Sequence, residues 1–239
     1  MDARKNNSNE YSESERELIE IILGLRNDPT RKSTFQLALQ SARFHCGIEE
    51  NGNIDKFTFD SRQLLVEKIK AGVDINIPSD EADMFSALLQ YFICLEQMGT
   101  LFYIEEIKDR SDNNGIIKAI NMFSPRKLST PEKEALKNLR NSLGHAFGLV
   151  NVDMSRKKAT HKFLLDFKDE CDKPIKLPKQ EWNGDYLDKS KETSTIVYVF
   201  PLIRFIEEIF ANVVNKYKDC TLRFRYIEEI KARFTIICN

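Results

Sequence analysis

A chain of 239 residues with 41% hydrophobic and 31% charged residues is long enough to bury a substantial core, which excludes a disulfide-stapled peptide and a wholly disordered tail. Its 36 basic and 37 acidic residues leave a formal charge of -1, so no global basicity advertises nucleic acid and any such role must come from a local patch. Five scattered cysteines without a Cys-x-x-Cys pair argue for reduced thiols in a cytoplasm, and only three histidines argue against a catalytic metal; no cofactor is expected.

Met1 to about Tyr11 is polar, lacks the apolar stretch of a signal peptide, and is expected to be a disordered arm. Ser12 or Ser14 then caps a helix carrying Leu18, Ile19, Ile21, Ile22 and Leu25, which ends before Asp28-Pro29. A second helix is predicted from Ser33 to His45, burying Phe35, Leu39, Ala42 and Phe44 or their neighbours. The stretch GIEENGNID reads as a loop, Lys56 to Phe59 as a short strand or a lead into the helix SRQLLVEKIKAG, and Ile75 to Pro78 as extended. Residues 12–80 are therefore an N-terminal helical region that either completes one bundle or stands as a separate recognition unit.

The longest helical pattern, about Glu81 to Asp109, shows a broad apolar surface that includes Phe85, Leu88, Leu89, Phe92 and Leu95. A turn at SDNNG and a helix around Ile116 to Phe123 follow, and Ser124-Pro125 breaks the chain again. Thr130 to Asn151 carries the clearest helical signal, with Thr130 as N-cap, Pro131 at the first helical position and Glu132 and Glu134 near the positive end of the dipole. At about 100° per residue, Leu136, Leu139, Leu143, Ala146, Phe147 and Val150 form one apolar stripe, with Arg140 at its edge and His145 about 140° further round. Gly144 and Gly148 lie between or beyond them and suggest a surface that something approaches closely; Gly148 reads equally well as a C-cap glycine.

After Asn151 the period changes. His161 to Lys168 is strand-like, Asn183-Gly184 is a hairpin-turn signal, and a small antiparallel sheet is expected at about 158–198. Val199 to Lys218 is a helix with a wide apolar face, while the tail mixes a helical YIEEIKARF with a β-rich FTIIC. The fold class read from this order is α+β, predominantly α: a helical bundle with a small sheet inserted after the Thr130 helix, residues 81–239 forming the main helical domain. No run reaches the length of a membrane span, so no membrane partner is expected.

The glycine-rich dinucleotide and phosphate loops, the Gly-x-Ser-x-Gly elbow and His-Glu-x-x-His are all absent from the sequence. The paired carboxylates Glu105-Glu106, Glu207-Glu208 and Glu228-Glu229 sit in charged helical contexts and read as solvated surface. What is left is Arg140, Asn141 and His145. A histidine titrates near neutrality and can move the proton of a hydroxyl, and an arginine can set two fixed donors on a phosphate.

Arg140-Asn141-Ser-Leu-Gly-His145 resembles the motif of the HEPN superfamily, mostly helical domains in which an arginine, often followed by a polar residue, precedes a histidine with four to six positions between them. Arg156 and His161 have the same spacing, but Lys157 follows that arginine and no helical period surrounds it. The resemblance implies a metal-independent RNA endonuclease of toxin or defence type, acting by 2′-hydroxyl transesterification, with RNA as substrate, a homodimer as the working unit and a neutralising protein as partner. Arg140, Asn141 and His145 are the catalytic candidates, and Lys133, Lys137, Arg156, Lys157 and Lys158 are candidates for guiding the RNA backbone. Because Arg140 and His145 diverge on a straight helix, the active cleft is expected to be shared between two copies. The alternatives are a non-catalytic HEPN-like module that binds a partner protein or nucleotide, and a dimeric structural protein.

Overall fold

The computed structural model describes residues 11–26, 28, 30–46, 48, 80–105, 114–146, 148–153, 158–167, 171–225 and 227–237. The expected arm at 1–10, the loop, strand and helix expected between 49 and 78, Arg156 and Lys157 lie outside the described residues. The described helices are α1 (Glu13–Leu23), α2 (Thr34–Cys46), α3 (Asp80–Leu101), α4 (Gly115–Phe123), α5 (Thr130–Ala146), α6 (Val199–Lys218) and α7 (Ile227–Phe234). The described strands are β1 (Arg31–Ser33), β2 (Phe102–Ile104), β3 (Val150–Asp153), β4 (Lys158–Asp166), β5 (Ile175–Lys176), β6 (Thr195–Tyr198), β7 (Leu222–Phe224) and β8 (Thr235–Ile237). This is an α+β, predominantly helical fold.

Local chemistry sets the helix ends. The Ser12 hydroxyl accepts from the Glu15 amide at 3.3 Å while Glu15 accepts from the Ser12 amide at 3.0 Å, a reciprocal box that starts α1. Gly24, at φ 70°, stops the same helix in the left-handed conformation that a side chain disfavours. The Asn114 side chain accepts from the amides of Ile116 and Ile117 at 3.0 and 3.3 Å and starts α4. At α5 the cap is Ser129 rather than Thr130: its amide meets Glu132 Oε2 at 2.7 Å and its hydroxyl faces the Glu132 amide at 3.4 Å. Pro131 consequently occupies the second helical position.

The core is one continuous cluster joining α1 and α2 to α3, α4, α5 and α6. At its centre lies α3, with Leu88, Tyr91, Phe92, Leu95 and Met98 almost wholly buried. The helix stops at Leu101, short of the predicted Asp109, because Phe102–Ile104 leaves it to pair antiparallel with β7, where the rings of Phe102 and Phe224 stack at 5.2 Å. α3 and α4 cross at two glycines. A Cβ on Gly99 would lie 1.9 Å from the Gly115 carbonyl oxygen, and a Cβ on Gly115 would lie 2.4 Å from the Glu96 carbonyl oxygen. Only bare backbone permits that approach.

The inserted sheet has strand order β3-β4-β6-β5 and is mixed, not antiparallel as expected. β3 pairs with β4 and β5 with β6 antiparallel, but β4 and β6 run parallel, from Phe163 beside Thr195 to Asp166 beside Tyr198. The parallel pair puts Phe163 and Val197 into the core, and β6 runs directly into α6. Asn183-Gly184 forms a local turn, with Gly184 at φ 89° and the Asn183 side chain accepting from the Asp185 amide at 2.9 Å, but it lies inside the long loop that joins the antiparallel pair β5 and β6 and is not a tight two-residue hairpin. The tail forms α7 followed by β8, which pairs antiparallel with β1. No helix among the described residues is long and apolar enough to cross a membrane.

Of Phe44 and its neighbours, it is a neighbour that is buried, and one expectation about a charged side chain is overturned. Phe44 is 72% exposed, while its neighbour Arg43 is buried at 8%. Glu207, read from sequence as solvated, is also buried: Arg43 Nε and Nη2 donate to its two oxygens at 2.8 and 2.6 Å, and the Tyr91 hydroxyl donates at 2.7 Å. A carboxylate so fully satisfied can leave water, whereas its neighbours in sequence give no hint of the partner.

Candidate active site

Helix α5 is seated by Ala135, Leu136, Leu139 and Leu143, all without exposed surface, so the predicted stripe is the docked face through Leu143. Arg140 stands at its edge with 23% of its side chain exposed, and His145 is exposed near the last turn. Beyond it, the Gly148 amide returns to the Ser142 carbonyl at 3.2 Å and closes the helix end.

The two motif residues meet within one chain. Arg140 Nη1 lies 3.4 Å from His145 Nε2, a long contact in which the guanidinium can only donate. The expected divergence, which required a second copy to complete the cleft, is corrected here: the Cα positions do differ by about 140°, but the arginine side chain is long enough to reach the imidazole across that gap. Gly144 lies under this side chain. A Cβ there would sit 3.7 Å from Arg140 Nη1 and 3.9 Å from Leu89 Cδ1, ordinary contact distances, so nothing among the described residues demands the glycine.

The third participant is Glu96 on α3, whose Oε2 receives Arg140 Nη2 at 2.6 Å. The pair is sheltered, with 23% and 25% of the two side chains exposed, and Arg140 Nε is buried without a partner. Sequence reasoning missed Glu96. The signal was present, because Glu96 is the single charged residue between Asp83 and Glu105 in an otherwise apolar and neutral run. A lone charge in such a run asks for a partner.

The other candidates fall as follows. Asn141 is half-buried, and the group that meets the imidazole is Arg140. Lys133 donates to Asn121 Oδ1 at 2.7 Å and Lys137 to Glu134 Oε2 at 2.9 Å, so both are bonded to residues that precede the motif. Lys158 opens β4 opposite Asp153. His161 is a packing residue, stacked on Phe163 at 5.4 Å and hydrogen-bonded to Thr195 Oγ1 at 3.2 Å, and burial holds its imidazole below the ordinary histidine range.

A cavity of about 600 Å³ lies elsewhere, between the end of α1, α2 and α6, with Leu39, Arg43, Glu207 and Phe210 in its lining. The Arg43 and Glu207 charges there bind each other. The Arg140–His145 pair instead lies on an accessible helix end, the arrangement a polymer can reach. It brings together a titratable imidazole and a fork of fixed donors, the groups needed to move a proton and to hold a phosphate. Compared with protein-family models, curated proteins and solved structures, the chain matches none.

Proposed function

We propose that the chain is an HEPN-like, metal-independent RNA endonuclease with Arg140 and His145 as its catalytic pair. The observation that carries the reading is their 3.4 Å contact on an accessible surface within one chain. In the proposed reaction the imidazole takes the proton of a ribose 2′-hydroxyl as the 2′-oxygen bonds to the adjacent phosphorus. The phosphorus–5′-oxygen bond breaks, the departing oxygen takes the proton that the imidazole has just accepted, and a 2′,3′-cyclic phosphate remains. Arg140 places donors on the phosphate oxygens as their charge grows. Asn141, at the rim, contacts a substrate oxygen, and Lys133 and Lys137 supply positive charge along the approach. Since one chain joins both groups, the homodimer implied by the resemblance is not needed to complete the pair.

The test is cleavage of single-stranded RNA by purified protein in excess chelator, with cyclic-phosphate ends identified on the product. Arg140→Ala and His145→Ala should each abolish cleavage, roughly 10²-fold or more, while circular dichroism is unchanged. Undiminished cleavage in both variants overturns the assignment, and sedimentation of the active species decides whether it is one chain or two.

A further inference from the structure

Glu96 is held in place more firmly than a surface carboxylate needs to be. The turn that carries it is pressed against α4, where a Cβ on Gly115 would come within 2.4 Å of the Glu96 carbonyl oxygen, and the Thr100 hydroxyl donates to that same oxygen at 2.8 Å. Three residues on, a Cβ on Gly99 would lie 1.9 Å from the Gly115 carbonyl oxygen, so the backbones of the two helices are in contact there as well. From this fixed backbone the side chain reaches across to α5 and takes Arg140 Nη2 at 2.6 Å, while Nη1 is left turned toward His145.

We infer that Glu96 is a positioning residue that sets the orientation of the Arg140 guanidinium. This inference rests on the endonuclease reading for its consequence, but not for the contact itself. A guanidinium recognises phosphate through the direction of a planar fork, and a free arginine samples many directions. Binding Nη2 to a carboxylate fixed by a neighbouring helix selects one direction and presents the Nη1 side to the imidazole and to a phosphate placed beside it. Glu96 also offsets the charge of Arg140, so an unreacted phosphate gains little from it, and the benefit is concentrated where phosphate charge grows.

Two substitutions separate orientation from charge. Glu96→Gln keeps an acceptor oxygen and removes the charge; Glu96→Ala removes both. If Glu96 orients Arg140, Glu96→Ala lowers kcat about 10²-fold with KM unchanged or lower, and Glu96→Gln restores kcat to within a few fold of wild type. A purely structural role would lower thermal stability in step with activity and show no such split. Cleavage faster than wild type in both variants would mean that Glu96 restrains the site, and would overturn the inference.

The closing measurement is independent of RNA. In protein labelled with ¹⁵N-arginine, the Arg140 side-chain resonances, identified by their loss in Arg140→Lys, should be dispersed and slowly exchanging in wild type and in Glu96→Gln, and averaged in Glu96→Ala. Averaged resonances in wild type, or ordered ones in Glu96→Ala, overturn the inference whether or not the protein cleaves. Ordering that depends on Glu96 in a protein that cleaves no RNA retains the clamp and overturns the endonuclease reading alone.

Discussion

The same substitution at two helical glycines should act with opposite sign. At Gly144 an added methyl group meets Arg140 Nη1 at 3.7 Å, Leu89 Cδ1 at 3.9 Å and Arg140 Cζ at 4.0 Å, all ordinary contacts, so it fits, and alanine is the better helix former by about 1 kcal/mol. Gly144→Ala should therefore stabilise the chain by about 0.5–1 kcal/mol and raise Tm by about 1–4 °C. At Gly99 the same methyl group would lie 1.9 Å from the Gly115 oxygen and 2.5 Å from the Ala119 nitrogen. Both are backbone atoms that no rotamer change can remove. α3 and α4 must move apart by more than about 1 Å to restore an ordinary separation. The overpacking, together with the looser fit it forces along the rest of the helix pair, outweighs the propensity gain, for a net destabilisation of roughly 2–4 kcal/mol. Denaturant unfolding followed by circular dichroism measures both variants. Gly99→Ala as stable as wild type, or Gly144→Ala destabilised by more than about 1 kcal/mol, would refute the reasoning. Since Glu96 lies one turn from Gly99, Gly99→Ala should also loosen the Arg140 resonances, whereas Gly144→Ala should leave them ordered.

Arg43→Ala strands the Glu207 carboxylate in the core and should cost about 3–5 kcal/mol; the double variant Arg43→Met, Glu207→Leu should be less destabilised than either single removal, as chemical denaturation would show. Tyr91→Phe removes one of that carboxylate's donors and should cost about 1–2 kcal/mol by the same measurement. The Thr193 hydroxyl, the Ser190 amide and Lys162 hold the Asp188 carboxyl at about 2, below its ordinary value of 3.8. A depressed carboxylate contributes stability above its ordinary pKa and loses it as pH falls through the folded value. Amide protection of the loop from Leu177 to Ser194 should therefore be flat from about pH 5 to 8 and fall between about pH 4 and 2, and Asp188→Asn should blunt that fall when followed by hydrogen exchange.

What was legible in the sequence is what depends on neighbours along the chain. Helix α6 was readable to its ends because Leu202, Phe205, Ile206, Ile209 and Val213 repeat at helical spacing and are all buried. Arg140 and His145 were readable because five positions on a helix place both near one end, although rotation alone, without side-chain length, led to the wrong conclusion about whether they meet. What failed depends on distant partners. Glu207 looks solvated until Arg43, 164 positions away, is brought to it. Phe102–Ile104 suits helix and strand alike, and β7 decides between them. The parallel pairing of β4 with β6 leaves no trace in a short apolar run, since period and composition are the same for either direction. Glu96 was conspicuous as a lone charge, but only the packing of α3 beside α5 names its partner.

The β1–β8 ladder has a consequence for how the protein comes into being. It pairs Arg31 with Ile237, and the hydrogen bond from the Tyr217 hydroxyl to Glu20 likewise closes a separation of 197 residues. At about 5–20 residues per second, a ribosome reaches these partners roughly 10–40 s after it has made α1 and α2. Throughout that interval β1 lacks the strand that pairs with it, and Glu20 the hydroxyl that donates to it. Native closure thus waits on residues 217–237, and a nascent chain stalled before α6 should expose the unpaired β1 edge and be a substrate for chaperones.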